Sequence, residues 1–341
     1  MATVAVGVAL ARGRDRRSRP VRPLRPHFAL LPGEALAPGA RRIAIEQIDL
    51  AIAQLESGHA TPDATAVHET RKAIKRLRAL LRLLRPRMRE SVYRRENAAL
   101  RGIAARLAGA RDAEVMLATL DALIARHPRR LRGRSVRRFR KKLRAECKRA
   151  RRRGIGDART RALALTELRA LRTRVAAIEI DSSHGLRTLD PGLRRSYEQG
   201  RRRRRRARRA RRRDRDGLMH DWRKRVKDLR YAAELMQRRD RELALNGTRP
   251  RARRLTRIAS RADELGELLG EDHDLALLAE RVRGRSTRKL MSAGKRRTLL
   301  ELIDRRRAVL RRRAKPLGKK LYRKSPKRFT ADVRAELARL S

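Results

Sequence analysis

Apolar residues recur along this chain at helical spacing, and no run of alternating β-branched residues predicts a sheet. Ile45, Ile48, Ile52 and Leu55 form one buried helix face between Gly39 and Ser57. Gly58, Pro62 and Asp63 predict a turn, with Thr65 as the cap of the next helix. Val67, Ile74, Leu77, Leu81 and Leu84 give that helix its apolar side, and Pro86 ends it. Leu100, Ile103 and Leu107, then Val115, Leu117 and Leu120, mark a third helical region from Ser91 to Arg126, with a break expected at Gly109. Leu131, Val136, Phe139 and Leu143 predict a basic helix over 131–152. Beyond Gly154 and Gly156, the leucines from Leu163 to Leu171, with Val175 and Ile178, predict another over 158–180.

Asp181 to Pro191, with Ser182, Ser183 and Gly185, reads as an internal boundary, after which the pattern starts again. Arg194, Glu198, Gln199 and His220 lie 152 residues beyond Arg42, Glu46, Gln47 and His68. Leu269 to Asp274 lies 162 residues beyond Leu107 to Asp112, with the ten extra residues expected in a loop near Asn246, Gly247 and Pro250. A basic helix over 288–323, bent near Pro316, and a last helix capped by Thr330 complete the chain. Each half offers about four helical regions, enough for a bundle that closes its own core. The expected fold is all-α: two four-helix bundles, residues 36–181 and 182–341, related by an internal pseudo-twofold duplication. Residues 1–35, broken by prolines among arginines, predict an extended, solvated basic tail.

The polar positions carry the chemistry. His68, Arg71, Lys72, Lys75, Arg78 and Arg82 fall on one narrow stripe of their helix, beside the apolar one. His220, Arg223, Lys224, Lys227 and Arg230 repeat it, with Val226, Leu229, Ala233 and Leu235 on the apolar side. The 341 residues carry a formal net charge of +59, so the chain repels itself and calls for a polyanion. DNA, RNA, an anionic membrane surface and inorganic polyphosphate all fit. Only 2% of the residues are aromatic, too few for the stacking platforms of single-strand readers. Duplex binding through backbone contacts stays open. Cys147 is the sole cysteine, which fits a reducing cytoplasm and rules out a cysteine metal site. Arginines follow rather than precede the apolar run Val4 to Leu10, the wrong order for a secretory signal, and no stretch predicts a membrane span.

His68-x-x-Arg71-Lys72-x-x-Lys75, its second copy from His220 to Tyr231, and the downstream Arg111-Asp112 and His273-Asp274 resemble the CHAD family, the conserved histidine α-helical domain. Tyr197 and the Leu317 to Phe329 ending fit as well, and the resemblance spans about residues 36–335. It implies two four-helix bundles related by an approximate twofold. It also implies binding of inorganic polyphosphate on a basic surface or channel, in some members at polyphosphate granules. The residues this assigns to polyphosphate are His68, Arg71, Lys72, Lys75, Arg78, His220, Arg223, Lys224, Lys227 and Arg230, together with Arg42 and Arg194 at the shared offset. The Glu-x-Glu-x-Lys motif of triphosphatase-bearing relatives does not occur, and neither does a phosphate-binding Gly-Lys loop. The expectation is a non-catalytic binder with no cofactor or metal, and nucleic acid is the competing polyanion.

Three features keep two readings each. Asp112 and Asp274 either pair with stripe cations or cap helices. Either histidine contacts phosphate or is satisfied at a helix start. Among the arginines of the 201–213 run, Arg204 falls opposite apolar Ile52 in the 152 register. Either that helix is shifted, or it faces an anion instead of a core.

Overall fold

The structure is a computed structural model that describes residues 28–31, 33–56, 64–153, 157–211, 213–237 and 253–338. Among these residues every regular element is helical. The helices are α1 (Leu36–Glu56), α2 (Ala64–Leu84), α3 (Glu90–Arg106), α4 (Ala108–Arg126), α5 (Arg134–Arg153) and α6 (Ala158–Ala176). They continue with α7 (Asp190–Arg209), α8 (Arg215–Met236), α9 (Arg253–Arg283), the short α10 (Arg285–Arg288), α11 (Ala293–Leu321) and α12 (Pro326–Ala338).

In the first half α1 packs along α2 and α6, and α3 closes against the same two helices. The faces that meet bury Ile43, Ile48 and Leu55 of α1, Ile74, Leu77 and Leu81 of α2, Leu100 and Ile103 of α3, and Leu168 and Leu171 of α6. On α1 the core face is turned from the expected one, since Ile43 is buried while Ile45 and Ile52 are only half-buried, and on α6 Leu163 is exposed. In the second half α8 packs between α7 and α9, α9 along α11, and α12 over α7. Here Tyr197 stacks on Phe329 at 3.9 Å between ring centres and leans on Tyr322 at 5.3 Å, anchoring α12 on α7. The halves touch where α2 meets α7 and α8, and where α4 lies on α9. At the first contact the helices approach so closely that a Cβ at Gly192 would overlap the Leu83 carbonyl.

Several local expectations are corrected. The end of the predicted solvated tail is packed: Phe28, Ala29 and Leu30 are buried, Leu30 N–H donates to the Leu235 carbonyl at 3.1 Å, and Phe28 meets Tyr231 edge-on. Two large apolar side chains there cover the end of α8, and this overrides the polar character of the segment before them. Residues 1–27, the turn at Gly58, Pro62 and Asp63, the glycines 154 and 156 and the insertion near Asn246 lie outside the described residues. The break in the third helical region is at Leu107, not Gly109, which is helical. Thr65 and Thr330 sit inside their helices. Thr330 donates back to the Pro326 carbonyl at 3.0 Å, and Ser325 accepts from the Arg328 N–H at 3.3 Å in the capping place. The boundary is shorter than predicted, because Asp190 and Pro191 already open α7.

Candidate functional site

The α2 row begins at exposed His68, and its members differ in how they are satisfied. Arg71 is half-buried, donates to the Ala104 carbonyl at 3.2 Å and lies 4.0 Å from Asp112. Asp112 therefore stands within α4 beside a row cation and caps nothing. Lys72 pairs with Glu69 at 3.3 Å, one turn back. Lys75 is exposed. Arg78 has only the neutral Asn97 amide oxygen, at 3.1 Å. Burial, with Arg82 and Arg101 nearby, pushes its guanidinium down to about 10. Arg82 ends the row 2.6 Å from Asp228 of α8.

The α8 row faces α9. His220 is half-buried, and its ring lies on that of His273, with centroids 4.0 Å apart. The Arg223 guanidinium passes over Gly270, where an added Cβ would stand 3.5 Å from its Nε and Nη2. Its buried Nε has no hydrogen-bond partner. Lys227 lies over Gly266, 4.0 Å from Glu267, and burial together with Arg223 pulls its ammonium below the ordinary range. Lys224 is exposed, 3.5 Å from Asp221. Arg230 is closed by Glu234 at 2.6 Å and by Asp263.

Two residues of the sequence set stand apart. Arg42 on α1 is enclosed by Glu34 at 2.6 and 2.7 Å, Glu46 at 2.8 Å and the Ala29 carbonyl at 3.0 Å. With two carboxylates and a carbonyl around one guanidinium, it fixes the segment before α1 and is not part of an open row. Arg194 is exposed on α7, and among the described residues it makes no hydrogen bond or ion pair to either row.

The direction of the rows follows from their contacts. Arg82 meets Asp228, whereas Arg76, earlier on α2, feels Glu234 and Tyr231, later on α8. The two helices therefore run antiparallel, and the rows meet at their Arg78–Arg82 and Asp228–Arg230 ends. His68 and His220 lie beyond opposite ends of this junction, roughly 30 Å apart along the axes at 1.5 Å per residue. The rows thus approach each other by their arginine ends, with the histidines at the far ends and acids paired to Arg82 and Arg230 at the junction.

The sequence set missed some members. His273 was noted only as part of a motif, yet it is the partner of His220; its signal was the 162 offset, which places it opposite Arg111. Burial, His220, Arg223 and Lys224 push its imidazole down to about 4. Arg101 had no signal, since only tertiary packing brings it beside Arg78. Gly266 and Gly270 answer to Ala104 and Ala108 at the same offset, small residues that let the long cations lie flat across the neighbouring helix. Among the described residues no group of three or more His, Cys, Asp or Glu is placed to hold a metal ion. No helix among them is long and apolar enough to cross a membrane.

Comparison with solved structures returns the same fold. PptA from Streptomyces chartreusis superposes with a TM-score of 0.56 at 14% identity, over 85% of this chain and 100% of that one. The CHAD domain from the plant Ricinus communis superposes with a TM-score of 0.52 at 20% identity, over 93% of this chain and 97% of that one. A search of curated protein sequences finds no match. Residues 42–283 match the CHAD domain family, a stretch that runs from α1 to the end of α9 and contains both histidine rows. By that match, which takes in most of its length, the chain belongs to the CHAD domain family.

Proposed function

We propose that this protein binds inorganic polyphosphate along the joined cationic rows of α2 and α8, without catalysis, in the cytoplasm and at polyphosphate granules. We further propose that its two halves, 36–181 and 182–341, are duplicated four-helix bundles, and that the duplication sets one row against the other. The observation that carries the reading is the antiparallel meeting of the rows at Arg82 and Asp228. It turns two short stripes into one long one. Polyphosphate is a flexible thread of closely spaced charges without bases, so many cations at short intervals suit it, and arginine forks suit its oxygens.

The unequal satisfaction of the rows gives further support. Among the described residues Arg78 and Arg223 make no ion pair, and Lys227 has a 4.0 Å contact with Glu267. Holding such cations together half-buried costs stability, which a bound polyanion recovers. The test is to replace Arg71, Lys72, Lys75, Arg223, Lys224 and Lys227 by Gln, and separately six outward cations of α5, such as Arg137, Arg138 and Lys141. The row variant is expected to bind long-chain polyphosphate far more weakly than the α5 variant, and equal losses would refute the reading. If duplex DNA displaces polyphosphate at lower phosphate concentration, the ligand is nucleic acid. Chain shortening on incubation, abolished at His68 or His220, would overturn the non-catalytic assignment.

A further inference from the structure

The arginine run of α7 belongs to neither histidine row. At the offset of 152, Tyr197 answers to Ile45, Gly200 to Ile48, Arg204 to Ile52 and Ala207 to Leu55. Gly200 and Ala207 are buried, as Ile48 and Leu55 are, and Tyr197 is fully buried. The register therefore holds and α7 is not shifted. Arg204 stands half-buried where α1 carries half-buried Ile52.

Among the described residues no acid is paired with it. The Arg204 stem runs beside Gly318 of α11, where an added Cβ would come within 3.3 Å of Arg204 Cδ. The Trp222 indole N–H and the Tyr322 hydroxyl, buried in the same region, themselves lack partners. Arg201 and Arg208 lie one turn before and one after Arg204, on the same row. Among the described residues Arg201, Arg204, Arg205 and Arg208 make no hydrogen bond or ion pair. Arg203 and Gln199, which bond to Asp221 and Arg225 of α8, occupy the other edge of the helix. Burial, Arg208 and Arg201 all push the Arg204 guanidinium down.

Folding has thus put a cation in an apolar place and lined it with more cations, with no acid paired to it among the described residues. We propose that Arg201, Arg204 and Arg208 form a separate anion-binding row, on the edge of α7 away from α8, that holds the phosphoryl groups of a short inorganic oligophosphate. The row spans about 10 Å at helical rise, enough for a few phosphoryl groups. The aromatic side chains near it, Tyr197, Trp222 and Tyr322, are buried, so no base could stack there. This site does not rest on the α2–α8 reading, because no residue is shared.

The test uses the full chain and inorganic tripolyphosphate as probe. The variants are Arg204→Ile, which restores the residue type of the first half, Arg201→Gln with Arg208→Gln, and His220→Gln with Arg223→Gln. Without anion, Arg204→Ile should melt higher than the parent, by roughly 2–4 °C. With tripolyphosphate, the parent should gain more in Tm than Arg204→Ile or the Arg201/Arg208 variant does. Titration should show one binding event fewer in both of those variants, and that event should persist in the His220/Arg223 variant. The proposal is overturned if Arg204→Ile melts lower without anion, or if both α7 variants keep the full anion-dependent gain. It is also overturned if the event disappears with His220 and Arg223, which would place it on the α8 row, or if duplex DNA gives the same Arg204-dependent gain at equal phosphate.

Discussion

Arg82 Nη1 on α2 lies 2.6 Å from Asp228 Oδ1 on α8, and the offset of 152 maps this pair onto Glu234 and Arg76. Arg76 feels the Glu234 carboxylate as its foremost attraction. The ion pair between the halves thus has a counterpart with residue roles exchanged that is an attraction without a direct ion pair, in the manner of an isologous interface. This reciprocity supports the duplication proposed above. It also explains why the rows meet rather than diverge.

Asp228 is nearly buried and faces two cations, Arg82 at 2.6 Å and Arg225 at 3.1 Å. Asp228→Asn leaves both without their counter-charge at the junction. The expected loss is on the order of 3 kcal/mol, as for other buried pairs broken from one side. Urea unfolding would measure it, and an unchanged midpoint would show that the junction contributes little.

Gly192 tests the same interface sterically. Its backbone lies against the Leu83 carbonyl, so Gly192→Ala forces α7 and α2 apart. Overpacking of this kind costs about 1–3 kcal/mol. Thermal unfolding should fall accordingly, and polyphosphate affinity should fall with it, because the α2 row is carried on the displaced helix.

The histidine pair makes stability depend on pH. His220 is faced by Lys224, Arg223 and Asp221, and His273 by His220, Arg223, Lys224 and Asp216. Burial first, then these cations, holds both imidazoles below their ordinary value, His273 at about 4. The unfolded chain therefore takes up protons before the folded one does. For His273 this stability is fully present above about pH 6.5 and is lost as the pH drops toward 4, by up to about 1.4 kcal/mol per pH unit, and His220 acts in the same direction. His273→Gln should flatten the profile between pH 6.5 and 4, leaving the slope due to carboxylates. Bound polyphosphate should flatten it too, by favouring the imidazolium. Identical profiles for the parent and His273→Gln would remove the pair from this role.

Salt separates the rows from the diffuse charge. Polyphosphate affinity should fall steeply with ionic strength, by analogy with nucleic-acid backbones, through release of counterions. Replacing Arg78, Arg223 and Lys227 by Gln should lower the slope of log affinity against log salt by roughly 2 to 3. An unchanged slope would mean that these half-buried cations do not touch the ligand.

The residues themselves determined the helices, the apolar faces of α2 and α3, the two histidine rows and the offset that relates them. All of these are periodic, and periodicity survives in one dimension because a helix is built from local bonds and a repeating face. Charge alone called for a polyanion. The partners of each cation were not legible, because ion pairs join residues far apart in sequence. Arg42 looked like Arg194 by offset, yet only folding brought Glu34 and the Ala29 carbonyl around it. His273 came to His220, and Asp228 to Arg82, only when α9 and α2 packed on α8. Arg204 could be read as a shifted register or as facing an anion instead of a core, and the burial of Gly200 and Ala207 removed the first. Sequence placed the charges on their helices. Tertiary packing decided which were neutralised from within and which face no paired acid among the described residues, because side-chain electrostatics depend on distances of a few ångströms that only the assembled helices fix.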